Sequence, residues 1–338
     1  MGIATTVAEP GSVRASVGRL TTDPYRRRYG DVRQLIAGRP NPTPLVHLNR
    51  VAGGLDAYLK LEWMNPFGSI KDRTARYLLD GMRARGELDG RELVEATSGN
   101  TGIALAALAA LEGLKLTVTI PSGVPEEKLV LLRMLGATVM ATPDELCPVD
   151  NPRDGAIALA RAIKDSPANR GRYAMPDQYG NPDNVRAHYE STGPEVWEQT
   201  EGRVRTFVAG YGTCGTITGV GRFLKERSTG VRVVAVEPQR GHRLPGLKNL
   251  EEAKAPAILD RSVIDEVVRV DDDDAYAMAL RLFREEGLIV GPSTGAIAHA
   301  IAGLDPDETG LVVGISPDSG FKYASFYAAL VEPEGAQP

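Results

Sequence analysis

Short apolar runs alternate along the chain with longer stretches of helical periodicity. Ala57–Glu62, Glu92–Ala96, Leu116–Ile120, Thr138–Ala141, Thr206–Gly210, Val231–Val236 and Leu311–Ile315 read as buried strands. Between them Thr74–Arg85, Ile103–Glu112, Glu126–Leu135, Gly155–Lys164, His188–Gln199, Ile217–Glu226 and Asp273–Glu286 read as helices. Near the start, Tyr29, Val32, Leu35 and Ile36 form an apolar stripe that predicts a helix over Tyr25–Gly38. Strands separated by helices imply parallel pairing with helical crossovers. The predicted fold class is α/β, with two doubly wound domains of mostly parallel sheets.

Residues 169–184 are rich in Gly, Pro, Asn and Asp and read as a linker between domains. The expected organisation is a flexible arm over 1–22, a smaller, mobile domain over 55–170, and a larger domain over 23–54 and 171–330. Met1–Thr22 holds small and polar residues without the apolar core of a secretory signal. With 338 residues, 42% hydrophobic and 25% charged, the chain can bury a sizeable core. A net charge of -5 leaves no basic surplus for nucleic acid, and no apolar run reaches the length of a membrane span. Cys147 and Cys214 supply neither a disulfide framework nor zinc-ligand spacing. The four histidines are scattered, and Asp271–Asp274 reads as a solvated helix start. No metal is expected. These features describe a cytoplasmic enzyme.

The chemistry gathers at Asn65-Pro-Phe-Gly-Ser-Ile-Lys-Asp-Arg73, where a turn runs into a helix with Lys71 at or near its start. An ammonium there opposes the helix dipole, so its pKa should fall. A lysine that is easier to deprotonate is a nucleophile able to join an aldehyde. Three loops share one construction, with a strand, small residues and a helix N-terminus: Thr97–Gly102, Gly210–Thr216 and Gly291–Gly295. Such loops aim backbone N–H groups at anions and lie where open α/β sheets bind ligands. Gly210–Gly215 also fits G-x-G-x-x-G, with Glu237 ending the next strand, which keeps a nicotinamide-dependent oxidoreductase as a rival reading.

Taken together, Asn41-Pro-Thr-Pro-Leu45, Lys60-Leu-Glu62, the Lys71 stretch, Thr97-Ser-Gly-Asn-Thr-Gly102, Gly212-Thr-Cys-Gly-Thr216 and Gly291-Pro-Ser-Thr-Gly295 resemble, in this order, the pyridoxal-phosphate enzymes of fold type II in the cysteine synthase and cystathionine β-synthase family. The resemblance runs from about Asn41 to Tyr323. It implies pyridoxal 5'-phosphate as cofactor and Lys71 as its Schiff-base lysine. It implies that Gly212, Thr213, Cys214, Gly215 and Thr216 hold the cofactor phosphate, that Asn100 bonds the ring hydroxyl and that Ser293 faces the pyridine nitrogen. Thr97, Ser98, Gly99, Thr101 and Gln178 would hold the substrate carboxylate. A hydroxyl facing the ring nitrogen makes a milder electron sink than a carboxylate would, which suits β-elimination. Cys214 stands where many members carry glycine or threonine.

Asn65–Ser69, Gln178–Pro182 and His188–Glu195 look most like the B-type cysteine synthases, which include enzymes that use O-phosphoserine. In those relatives a segment placed like Gln239–Asn249 supplies a cation to the substrate phosphate; here Lys248 falls on that position, with Arg243 as a second candidate. The implied reaction is β-replacement on O-phosphoserine or O-acetylserine through an α-aminoacrylate, giving L-cysteine with sulfide or a sulfide donor. A thiocarboxylated carrier protein is one such donor. Diaminopropionate or cystathionine synthesis uses the same half-reaction. The family resemblance implies a homodimer.

Overall fold

The structure is a computed structural model that describes residues 27–144 and 155–331. The arm expected over 1–22, the first residues of the Tyr25–Gly38 helix and Cys147 lie outside the described residues. The chain passes through β1 (Leu45–His47), β2 (Ala57–Leu61), α1 (Lys71–Ala84), β3 (Glu92–Ala96) and α2 (Asn100–Glu112). It continues through β4 (Leu116–Pro121), α3 (Glu126–Met134), β5 (Thr138–Thr142), α4 (Ala156–Asp165) and the two-residue β6 (Tyr173–Ala174). Next come α5 (Asp183–Ala187), α6 (Gly193–Gln199), β7 (Val204–Gly210), α7 (Gly215–Arg227), β8 (Arg232–Pro238) and β9 (Glu266–Val270). The last elements are α8 (Asp272–Arg281), α9 (Pro292–Ala302), α10 (Pro306–Thr309), β10 (Leu311–Ser316) and α11 (Ala324–Val331).

Among the described residues these strands form two sheets. The smaller has the order β5-β4-β3-β6 and is parallel throughout. The larger has the order β1-β2-β10-β7-β8-β9 and is parallel except where β1 pairs with β2. Central strands such as β10, buried at every residue, need helices on both faces, which explains their unbroken apolar runs. One apolar cluster holds Leu59, Val208, Val234 and Ile297, and another holds Phe207, Ile217, Val233 and Val313. Since Val208 and Val234 alternate with Phe207 and Val233, these are the two faces of the larger sheet.

Two strands pair across the expected domain boundaries. β2, expected within the smaller domain, lies in the six-stranded sheet between β1 and β10. The stretch expected as a linker contains β6, which completes the smaller sheet by pairing Tyr173 with Glu92 and Ala174 with Leu93. A two-residue strand carries no periodicity to read. Nor is Tyr25–Gly38 a helix over its described part: a single 3-10 turn, Val32–Leu35, is capped by Asp31, whose side chain accepts from Arg33 N. Ile36 then packs with Ala75 and Leu79 of α1.

A buried ionic cluster sets the start of α1 against the larger sheet. Arg73 Nε and Nη2 donate to Glu62 Oε2 and Oε1 at 2.7 and 2.9 Å. Its Nη1 and Nη2 donate to Glu195 Oε1 and Oε2 at 2.5 and 2.7 Å. Lys60 Nζ lies 2.8 Å from the same Glu195 carboxylate. Two cations and two anions therefore compensate one another away from water.

Candidate active site

The loops that follow β2, β3, β7 and β10 open on one cavity. Each leaves the carboxyl end of its strand, where open α/β sheets bind ligands. Lys71, the first residue of α1, lines this cavity and donates from Nζ to Thr213 Oγ1 at 3.2 Å. Burial pushes its pKa down to about 8, while the negative charge of Asp318 acts the other way. Burial is thus the largest cause of the shift that the sequence reading assigned to the helix dipole. The turn before Lys71 is held by Asp72, whose carboxylate accepts from Phe67 N at 2.6 Å, and by Ile70 N donating to Pro317 O at 2.8 Å. Burial raises Asp72 to about 7.

The loop at the start of α7 is shaped as an anion cradle. A Cβ on Gly212 would lie 2.7 Å from Gly246 O, and one on Gly215 would lie 2.2 Å from Asn184 Oδ1. Both positions exclude any side chain, so the backbone N–H groups of the turn stay open to a ligand. Cys214, between them, holds φ at 65° in the left-handed region that favours glycine. Burial raises its thiol to about 12, so it is neutral at pH 7 and poorly reactive. Gly212, Thr213, Cys214 and Thr216 line the cavity. These residues fit the phosphate of pyridoxal phosphate.

A polar network aligns this loop with α1. Asn184 Nδ2 donates to Thr213 Oγ1 at 3.1 Å and to Gln178 O at 2.7 Å, and Thr74 Oγ1 donates to Asn184 Oδ1 at 3.1 Å. His188, in a π-turn (His188–Thr192) between α5 and α6, is fully buried and lies 3.2 Å from Thr74 Oγ1 and 3.3 Å from Thr216 Oγ1. Burial pushes it well below the usual histidine range, so it is a neutral hydrogen-bonding spacer.

The loop after β3 divides its labour. Ser98, Asn100 and Thr101 line the cavity. Thr97 is buried, and its Oγ1 accepts from Gly99 N at 3.0 Å and Gly102 N at 3.2 Å, so it shapes the loop. Gly99 has φ at 120°, and a Cβ there would meet Lys128 Cδ at 2.5 Å. Thr101 Oγ1 donates to Gln178 Oε1 at 2.5 Å, which brings Gln178 into the site as the sequence reading placed it. Glu95, one turn of strand earlier, accepts from the backbone N–H groups of Asp177 at 2.7 Å and Gln178 at 3.3 Å. Burial raises Glu95 to about 8.

Ser293, in the first turn of α9, lines the cavity, as does Lys248. Lys248 is 5% exposed, with Nζ 5.1 Å from the Tyr179 ring centroid. Arg243 is exposed, outside the lining, and its backbone N–H donates to Asp272 Oδ2 at 2.7 Å. The structure therefore brings Lys248 to the site and leaves Arg243 on the surface. Sequence reasoning missed Asn184, Asp318, Lys322 and Tyr323. The last three follow β10, so the carboxyl-end rule would have flagged them, but no glycine-rich turn marks that loop.

A family described as pyridoxal-phosphate dependent enzyme matches residues 36–315. The cysteine synthase B of Escherichia coli strain K12 is 40% identical over 287 residues, spanning 84% of this chain and 92% of that protein. The solved structure of O-acetyl serine sulfhydrylase isoform 3 from Entamoeba histolytica superposes with a TM-score of 0.78 at 33% identity, over 93% of this chain and 95% of that one. An O-ureido-L-serine synthase structure gives a TM-score of 0.79 at 33% identity, over 92% and 98%.

Proposed function

The chain belongs to the family of pyridoxal-phosphate dependent enzymes, and on that premise we propose that it converts O-phospho-L-serine and sulfide to L-cysteine and phosphate. The Cβ–O bond breaks with phosphate leaving, and hydrosulfide forms the new S–Cβ bond. When bound, the cofactor supplies an aldehyde that links to amines and a ring that draws electron density from Cα. Gly212–Thr216 would hold its phosphate, and Asn100 and Ser293 would meet its ring. Ser98, Thr101 and Gln178 receive the substrate carboxylate. The Lys71 amine would take the Cα proton and later return one. The smaller domain closes on the substrate and shields the site from water.

The observation that carries the choice of phosphate is the placement of Lys248. Among the described residues lining the cavity, the charged side chains are Lys71, Lys248 and Asp318. Lys71 is committed to the cofactor. Lys248 lines the same cavity, and a phosphate ester presents charged oxygens to such a cation where an acetyl ester does not. Lys248→Ala should lower kcat/KM for O-phosphoserine about 100-fold and for O-acetylserine less than about threefold, in line with loss of a charged hydrogen bond. Equal losses on both substrates would remove Lys248 from phosphate recognition.

The depressed pKa of Lys71 predicts how the stripped protein takes up cofactor. Only the neutral amine attacks the aldehyde, so the rate of cofactor capture should climb about tenfold per pH unit up to about pH 8 and then level off. An ordinary lysine would continue climbing to about pH 10. Stopped-flow absorbance after mixing with pyridoxal phosphate reads this directly. The sulfide donor, free or presented by a carrier protein, acts on a cytoplasmic homodimer in this reading. The likeness to an O-ureido-L-serine synthase favours one second reading, in which another nucleophile replaces sulfide after the same first half. Product analysis with competing nucleophiles separates the two.

A further inference from the structure

The segment after β10 lines the cavity with Pro317, Asp318 and Tyr323 and grips Asn100 from both ends. Asn100 Nδ2 donates to Asp318 Oδ2 at 2.6 Å. Lys322 Nζ donates to Asn100 Oδ1 at 3.2 Å and to Phe67 O, in the turn before Lys71, at 2.8 Å. An ammonium only donates and a carboxylate only accepts. The two charges therefore admit one orientation of the amide, with its nitrogen toward Asp318 and its oxygen toward Lys322. Flipping it would set N–H against ammonium and C=O against carboxylate. In this orientation Asn100 has one amide N–H left over, and its carbonyl oxygen accepts from the Lys322 ammonium.

Asp318 is itself held rigidly. It is 1% exposed, and its Oδ2 also accepts from Tyr323 OH at 2.5 Å. Tyr323 OH in turn accepts from Lys128 Nζ of α3 at 2.7 Å. The other oxygen, Oδ1, is buried without a hydrogen-bond partner among the described residues. It packs on Gly291, where an added Cβ would fall 2.1 Å away. The first glycine of Gly291–Gly295 is thus required by the Asp318 carboxylate. A buried, half-unsatisfied carboxylate is costly, and such costs gather at functional sites.

We propose that Asp318 and Lys322 are positioning residues that lock the Asn100 amide so that it presents N–H, and not C=O, to the ring oxygen of the cofactor. This rests on the cofactor reading above. An N–H donor stabilises the ring oxygen in its deprotonated form, whereas a carbonyl would oppose it. The same segment ties the amide to the Lys71 turn through Phe67 O and to α3 through Tyr323 and Lys128, so the ring contact is fixed relative to both walls of the cavity.

The test is a double-mutant cycle on the cofactor-loaded protein, read by visible absorbance, its pH titration and cofactor dissociation, with melting temperatures of stripped and loaded protein alongside. Asp318→Ala and Lys322→Met should each shift the visible band and its titration, and Asp318→Ala should weaken cofactor retention about tenfold. Asp318→Asn, nearly isosteric, should shift the band while the stripped protein melts as the wild type does. In an Asn100→Ala background the same substitutions should shift nothing further. A band shift that persists without Asn100 would overturn the inference. So would an unchanged spectrum in variants whose stripped and loaded forms merely melt lower together. Wild-type protein that acquires no visible band with pyridoxal phosphate would instead overturn the cofactor reading, and this inference with it.

Discussion

Lys71→Ala should lower kcat/KM for β-replacement by about 10³-fold or more, because the proposed reaction uses its amine both to anchor the cofactor and to take the Cα proton. The fold should hardly notice. Lys71 sits at the first position of α1 with its ammonium disfavoured by burial, and its ammonium donates to Thr213 Oγ1 at 3.2 Å. Removing a desolvated cation relieves a cost, so thermal melting of the stripped variant should match or slightly exceed the wild type. Lys71→Arg should lose as much activity as alanine, since a guanidinium keeps the charge but is never a free base near neutral pH. Activity within about tenfold of wild type in either variant would displace Lys71 from both roles.

Arg73→Met should have the opposite profile, with the largest expected effect on stability. Two residues from Lys71, Arg73 is buried and bonds both oxygens of Glu62 and of Glu195. Without it two buried carboxylates face Lys60 alone, and breaking a buried ionic cluster on one side costs about 3–5 kcal/mol. Arg73→Lys keeps the charge but not the planar fork, so it should recover part of that loss. Denaturant unfolding measures both. A midpoint unchanged in Arg73→Met would show that the cluster contributes nothing to the fold. Because Arg73 joins α1 to the elements bearing Glu62 and Glu195, the surviving folded protein should also hold Lys71 less firmly and bind cofactor more weakly.

The parts legible in advance share one property, which is that their physics is local. The alternation of apolar runs and helical stretches places both parallel sheets, because period and length distinguish strand from helix within a few residues. The small-residue turns at Thr97–Gly102, Gly210–Thr216 and Gly291–Gly295 are local strand-to-helix units, and all three reach the cavity in the structure. Lys71 was visible for the same reason, as a lysine where a helix start prefers acid. Local reading faltered where its signal was short or misleading, at β6 with two residues and at the apolar stripe around Val32–Leu35.

Lys248 and Arg243 stood as two cations in one loop, and nothing in their spacing ranked them. Backbone pairing ranked them instead, since Lys248 N donates to Tyr211 O while Arg243 N turns to Asp272 on the surface. Asn100 and Asp318 meet across 218 positions, and Arg73 and Glu195 across 122. The sequence by itself determined the α/β architecture, the glycine loops and the placing of Lys71 at a helix start, since each follows from periodicity or turn chemistry among neighbours. The tertiary structure alone decided which buried polar groups are partners and which cation faces the cavity. A buried charge must find its complement somewhere, and only the packing of strands and helices brings that complement within reach.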